Sequence, residues 1–153
     1  MNYVDSTWIC RLCLELAFLA RKLGVKVVFI ESCSGGLCSS WTTSIAGCSS
    51  WFEGGFVTYS NQMKQSVLGI DKKIIDKHGA VSRIVANKMV VSPSLKSFKG
   101  IVSTSVTGIA GPQGGSTLNG DALKAEAQAE MEKLEAEVST AVPGGTGYGF
   151  TIG

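Results

Sequence analysis

The sequence predicts an α/β protein, and three observations carry that prediction. A β-branched run at Val25–Ile30 reads as a buried strand, and Ile101–Val106 as a further strand. Between and around them lie stretches with apolar residues at helical spacing. The first strand runs straight into Ser34-Gly35-Gly36, and a new helical pattern follows. A strand, a tight glycine-rich turn and a helix form the usual geometry for a site in such folds.

Taken in order, Asp5 or Ser6 caps a first helix ending near Leu23, with Trp8, Leu12, Leu16 and Leu19 along one stripe and Gly24 as the stop. Leu37–Ile45 is the second helix. Trp51–Gly55 reads as a loop and Phe56–Tyr59 as a short strand. Helical pieces follow at Asn61–Leu68, Lys72–Lys77 and Ser82–Val91, and Pro93 ends the last of them. The third strand, Ile101–Val106, leads into Thr107–Gly115, too rich in glycine for regular structure. Composition then changes abruptly. Residues 121–138 are almost entirely strong helix formers, with Leu123, Ala127, Met131, Leu134 and Val138 on one stripe, so a solvated amphipathic helix is expected. Thr146–Ile152 is the last strand, weakened by Gly147 and Gly149. At 153 residues the chain is expected to be one domain, 1–153, with an atypical Ala/Glu-rich helical segment at about 118–141.

Composition narrows the function classes. Charged residues make up 17% of the chain and apolar residues 44%, a balance that excludes a disordered, highly charged protein. The net charge of +2 is too small to announce a nucleic-acid binder. It conceals a split: residues 1–120 hold 12 of the 14 Lys and Arg but six acids, and 121–137 hold the other six acids with two lysines. Such a basic body suits an anionic small substrate or, weakly, a nucleic acid, and charge alone does not choose between them. No apolar run approaches the ~20 residues of a membrane span, and no basic segment precedes an apolar one as in a signal peptide, so a cytoplasmic location without membrane association is expected. Five cysteines, all within the first 48 residues, read as reduced thiols. With a single histidine, His78, no metal site is expected.

Ser32 occupies the strand-to-helix turn, where backbone N–H groups can stabilise an oxyanion. A serine nucleophile needs a base. His78 is one candidate; a lysine kept neutral by burial is the other, and Lys64 follows Tyr59-Ser60-Asn61 at the start of a helix. Spacing alone leaves that choice open.

Four blocks in order, Glu31-Ser32-Cys33-Ser34-Gly35-Gly36-Leu37, Gly55–Lys64 (GFVTYSNQMK), His78-Gly79-Ala80-Val81-Ser82 and Thr107–Gly115 (TGIAGPQGG), resemble the CinA C-terminal domain family over roughly residues 5–117. The resemblance implies a three-layer α/β/α sandwich around a central, mostly parallel sheet. It also implies deamidation of nicotinamide mononucleotide to nicotinic acid mononucleotide and ammonia, with no cofactor or metal. By the matched motifs Ser32 is the expected nucleophile, Lys64 the base and Tyr59 an assisting group. Ser34, Gly35, Gly36, Asn61, Thr107 and Gly108 are the expected substrate contacts. The expected partner is therefore a small nucleotide, and a homo-oligomer is compatible with the sequence. Two features depart from the family pattern. Ser34 stands where threonine is common, and 27 residues separate Gly115 from Pro143-Gly144-Gly145-Thr146, the nearest counterpart of the family's next strand. No residue matches the family's closing helix. The alternative expectations are a member that binds a nucleotide without efficient turnover, or an interaction module using the acidic helix.

Overall fold

The computed structural model describes residues 6–109 and 147–152. The Gly-rich stretch from Ala110, the Ala/Glu-rich segment at 118–141 and Pro143–Thr146 lie outside these residues. The described chain runs α1 (Ser6–Leu23), β1 (Lys26–Glu31), α2 (Leu37–Thr43), β2 (Phe52–Val57), α3 (Asn61–Ser66), α4 (Lys72–His78), α5 (Arg83–Val90), β3 (Ile101–Gly108) and β4 (Gly147–Ile152). The four strands form one sheet in the order β2-β1-β3-β4, and every neighbouring pair is parallel.

The sheet is covered on both faces, because successive side chains of β1 point to opposite sides. Val28 and Ile30 pack with Leu68, Ile75, Val85, Met89 and Val90 beneath α4 and α5. On the other face Val27 meets Ala17 and Ala20 of α1 and the fully buried Trp51. This is the expected three-layer sandwich. Buried on both sides, β1 reads as the continuous apolar run seen in the sequence.

β3 is held differently. Its inward positions are Ser103, Ser105 and Thr107, all buried, and their hydroxyls donate to the carbonyls of Val90, Ala86 and Ala80 at 2.9, 2.9 and 3.0 Å. The ladder satisfies hydroxyls that burial would otherwise penalise, and it pins α5 and the segment before it to the strand.

One element differs from its sequence expectation in kind. The stretch expected as a loop from Trp51 to Gly55 is mostly strand, since β2 begins at Phe52 and ends at Val57, before Thr58 and Tyr59. Gly54 and Gly55 suggest a turn, yet here glycine permits close packing. A Cβ on Gly55 would collide with the Ser39 hydroxyl of α2 and approach the Phe29 carbonyl to 3.3 Å. Elsewhere the differences are of one or two residues at element ends, where helices fray.

Candidate active site

The strand order turns back on itself at β1: the next strand in sequence, β2, lies on one side of it and β3 on the other. In open parallel sheets a crevice forms outside the carboxyl ends of strands at such a switch point. Ser32 stands there, directly after β1. Its amide donates to the Val106 carbonyl of β3 at 2.9 Å, while the preceding Glu31 carbonyl accepts from the Thr58 amide after β2 at 2.7 Å. The serine is thus fixed from both neighbouring strands and is buried.

The turn that follows is built by its glycines. Gly35 and Gly36 have φ of 62° and 98°, a conformation L side chains rarely adopt. The Gly35 amide donates back to the Ser32 carbonyl at 3.0 Å, and the Leu37 amide to Ser34 at 3.1 Å. α2 then starts with Gly36 at its N-cap and no side-chain capping bond from that residue.

Lys64 reaches the serine from α3. Ser60 caps that helix, accepting from the Met63 amide at 3.1 Å. One turn in, Lys64 is only 1% exposed. Its Nζ lies 2.8 Å from Ser32 Oγ, 2.9 Å from the Thr58 carbonyl and 3.0 Å from the Tyr59 carbonyl. No carboxylate lies within ion-pair distance of it among the described residues. Burial pushes its pKa below the ordinary lysine value, against a smaller opposing effect from Cys33. Nζ donates to all three oxygens, and the Ser32 hydroxyl is itself turned toward the Tyr59 carbonyl. Of the two bases considered from sequence, Lys64 is the one in contact with Ser32. His78 is exposed at the end of α4.

The other expected residues fall into two groups. Tyr59 contributes its carbonyl, which Lys64 and, at 3.4 Å, the Ser32 hydroxyl both approach; its own side chain is 66% exposed. Thr107 and Gly108 close β3 beside the serine, with the Thr107 hydroxyl donating to Ala80. Asn61, the first residue of α3, is exposed, and its carbonyl accepts from Gln65. Ser34 points inward, where its hydroxyl donates to Glu31 at 2.8 Å.

Glu31 is the residue that sequence reasoning missed as a functional group. Fully buried, it also accepts from the Cys38 amide at 3.0 Å, the Ser39 amide at 2.9 Å and the Ser39 hydroxyl at 2.7 Å. Burial alone would raise its pKa, but the bonds from Ser39, Ser34 and Cys38 together outweigh it and hold the carboxyl below its usual range. The first amides of α2 are therefore engaged from inside the protein. The clue in the sequence is a lone acid between an apolar strand and a Gly-Gly turn, with no cation near it in the chain. Beside it, burial and then the Glu31 charge push the Cys38 thiol up to about 11. Among the described residues no group of three or more His, Cys, Asp or Glu is placed to hold a metal ion, and no helix is long and apolar enough to cross a membrane.

Comparison with known proteins identifies the family and the fold. A family model described as the CinA C-terminal domain matches residues 11–121. The nicotinamide-nucleotide amidohydrolase PncC of Escherichia coli (strain K12) is 45% identical over 93 residues, covering 61% of this chain and 56% of that protein. The protein of the same name from Enterobacter agglomerans is 43% identical over 105 residues, covering 69% and 63%. The chain thus spans about 56–63% of the length of these curated relatives. Among solved structures, the competence/damage inducible protein CihA from Agrobacterium tumefaciens superposes with a TM-score of 0.67 at 37% identity, covering 76% of this chain and 69% of the other. A CinA superfamily protein from Escherichia coli gives 0.68 at 26% identity, covering 78% and 69%. With the family model matched over most of its length, the chain belongs to the CinA C-terminal domain family.

Proposed function

We propose that this protein is an amidohydrolase that converts nicotinamide mononucleotide to nicotinic acid mononucleotide and ammonia through an acyl-enzyme on Ser32. The observation that carries the reading is the 2.8 Å contact between Ser32 Oγ and a buried Lys64 that has no carboxylate partner among the described residues. The names of the amidohydrolase relatives supply the substrate class.

The chemistry follows from the contacts. Neutral Lys64 takes the Ser32 proton as Oγ bonds to the carboxamide carbon. The turn amides of Cys33 and Ser34 are assigned to the developing oxyanion. As the tetrahedral intermediate collapses, the C–N bond breaks and the Lys64 ammonium returns its proton to the departing nitrogen, which leaves as ammonia. Water then attacks the ester with Lys64 again as base, releasing the carboxylate and restoring the serine. The Thr58 and Tyr59 carbonyls hold the amine in line throughout and stabilise its transient positive charge. Tyr59, Asn61, Thr107, Gly108 and the Ser34-Gly35-Gly36 turn are assigned to substrate contact on the family motifs.

The test is ammonia release from nicotinamide mononucleotide. Ser32→Ala and Lys64→Met are each expected to lower the rate by about 1,000-fold or more, since members of such a unit fail together. A folded parent that binds the nucleotide yet releases no ammonia overturns the amidohydrolase reading and leaves a nucleotide-binding protein.

A further inference from the structure

We infer that Glu31 is a positioning residue for the nucleophile, its ionised carboxylate clamping the Ser32–Gly36 turn onto the start of α2. The inference rests on Ser32 being the nucleophile, and it goes beyond that reading by assigning the residue that sets the turn's shape.

The geometry is specific. The two carboxylate oxygens receive four donors: Oε2 takes the Ser34 hydroxyl and the Cys38 amide, and Oε1 takes the Ser39 amide and hydroxyl. One end of the clamp is therefore inside the turn, at Ser34, and the other is on α2. The backbone of Glu31 belongs to β1 and pairs with both β2 and β3. The side chain thus connects the rigid sheet to the only segment between Ser32 and α2, a segment that contains two glycines in the left-handed conformation. Left to itself, a Ser-Gly-Gly turn has many backbone conformations to lose. A buried carboxylate with no cation near it is costly unless its donors are fully arranged. Here that requirement itself fixes where Ser34, Cys38 and Ser39 must sit. The amides of Cys33 and Ser34, assigned above to the oxyanion, ride on the same turn. An error of about 1 Å in such a constellation costs about 100-fold in rate.

Glu31→Gln separates positioning from packing. It keeps the shape, and the two hydroxyls can rotate to accept from an amide nitrogen. The backbone N–H groups of Cys38 and Ser39 cannot rotate. One oxygen of the pair becomes NH₂, so one of these two N–H groups must face another donor whichever way the amide is placed. The turn is then expelled from its position while the core is unaltered.

The experiment measures two rates on the full chain: covalent labelling of Ser32 by a fluorophosphonate, and ammonia release resolved into kcat and KM. Near-UV circular dichroism and a thermal melt check the fold. For folded Glu31→Gln we expect labelling and kcat to fall about 100-fold, with KM within about threefold. A residue that merely adds stability would lower the melting temperature and leave both rates of the folded protein unchanged; that result overturns the assignment. Should Glu31→Gln fail to fold, Ser34→Ala with Ser39→Ala removes both hydroxyl donors and retains the carboxylate. The labelling rate of this pair is expected to drop about tenfold, and an unchanged rate counts equally against the clamp. A parent in which Ser32 is neither labelled nor active refutes the nucleophile reading itself. A labelled parent with an unaffected Glu31→Gln refutes the positioning role alone.

Discussion

At the scale of single residues the site is defined by two buried ionisable groups whose environments act in opposite directions. Lys64 is desolvated and faces only neutral oxygens, so its proton is held less tightly than usual; Glu31 is desolvated but surrounded by donors, so its proton is lost more readily. Ammonia release is therefore expected to rise with pH and to level off below the ordinary lysine value of about 10.4. A profile flat from pH 6 to 9 while chemistry limits turnover would remove Lys64 as the base. The same shift has a stability consequence of definite sign. A lysine whose folded-state pKa is depressed binds fewer protons when folded than when unfolded, so stability rises with pH between the folded value and about 10.4. Relative to Lys64→Met, the parent is expected to be penalised most at low pH, with the gap between their melting temperatures closing as pH approaches that upper limit. A gap that is constant or widens with pH contradicts the desolvated lysine.

At the scale of elements, the site depends on how closely α2 lies against β2. Gly55 leaves no room for a Cβ against α2, and the hydroxyl that fills that space, that of Ser39, is one of the four donors to Glu31. Gly55→Ala should push Ser39 off the carboxylate and press on the Phe29 carbonyl, at a cost of about 1–3 kcal/mol in a denaturant melt. Its effect on kcat should be suppressed in a Ser39→Ala background, and full additivity of the two changes would disconnect Gly55 from the clamp. This contact also explains what the sequence did not make legible. Periodicity and β-branching located α1, β1 and β3 as elements, yet only on β1 did they mark the buried side chains: the stripe through Trp8, Leu12 and Leu19 is exposed, and α1 buries Cys13, Ala17 and Ala20 instead. The same signals misplaced the start of β2, because a Gly-Gly pair has the same residue code whether it turns or admits a neighbour. The pairing of Ser32 with Lys64 was legible through motifs spaced 32 residues apart, whereas residue types alone left the choice between Lys64 and His78 open. Tyr59 touches the pair through its carbonyl, and main-chain oxygens carry no residue-type signature. Ser103, Ser105 and Thr107 likewise read as an indifferent polar alternation until α5 is placed over them.

At the scale of the molecule, the parallel sheet and its reversal of strand order beside β1 explain why Ser32 and Lys64 meet at one end of it. The same architecture leaves an asymmetry between the two faces. α4 and α5 are sealed by a core running from Leu68 to Leu95. Among the described residues the opposite layer rests on the smaller contact of Ala17 and Ala20 with Val27 and Trp51. α1 consequently carries large apolar side chains in solvent: Trp8 is 61% exposed, Phe18 64% and Leu23 66%, with Leu12, Leu14 and Leu19 also exposed. Its polar complement on this surface is the Arg11–Glu15 pair at 3.0 Å, which is too exposed to matter much to stability. Exposed apolar side chains on a folded domain attract dyes and promote association. The native protein is thus expected to enhance the fluorescence of anilinonaphthalene sulfonate, and Leu19→Gln with Leu23→Gln to reduce that signal severalfold. Both side chains are more than half exposed, so the double variant should change stability by only about 1 kcal/mol or less and leave ammonia release intact. Unchanged dye binding would mean that the apolar surface sensed in solution is not α1. A loss of stability comparable to a core substitution would mean that this face is covered in solution, and the asymmetry between the two layers would vanish with it.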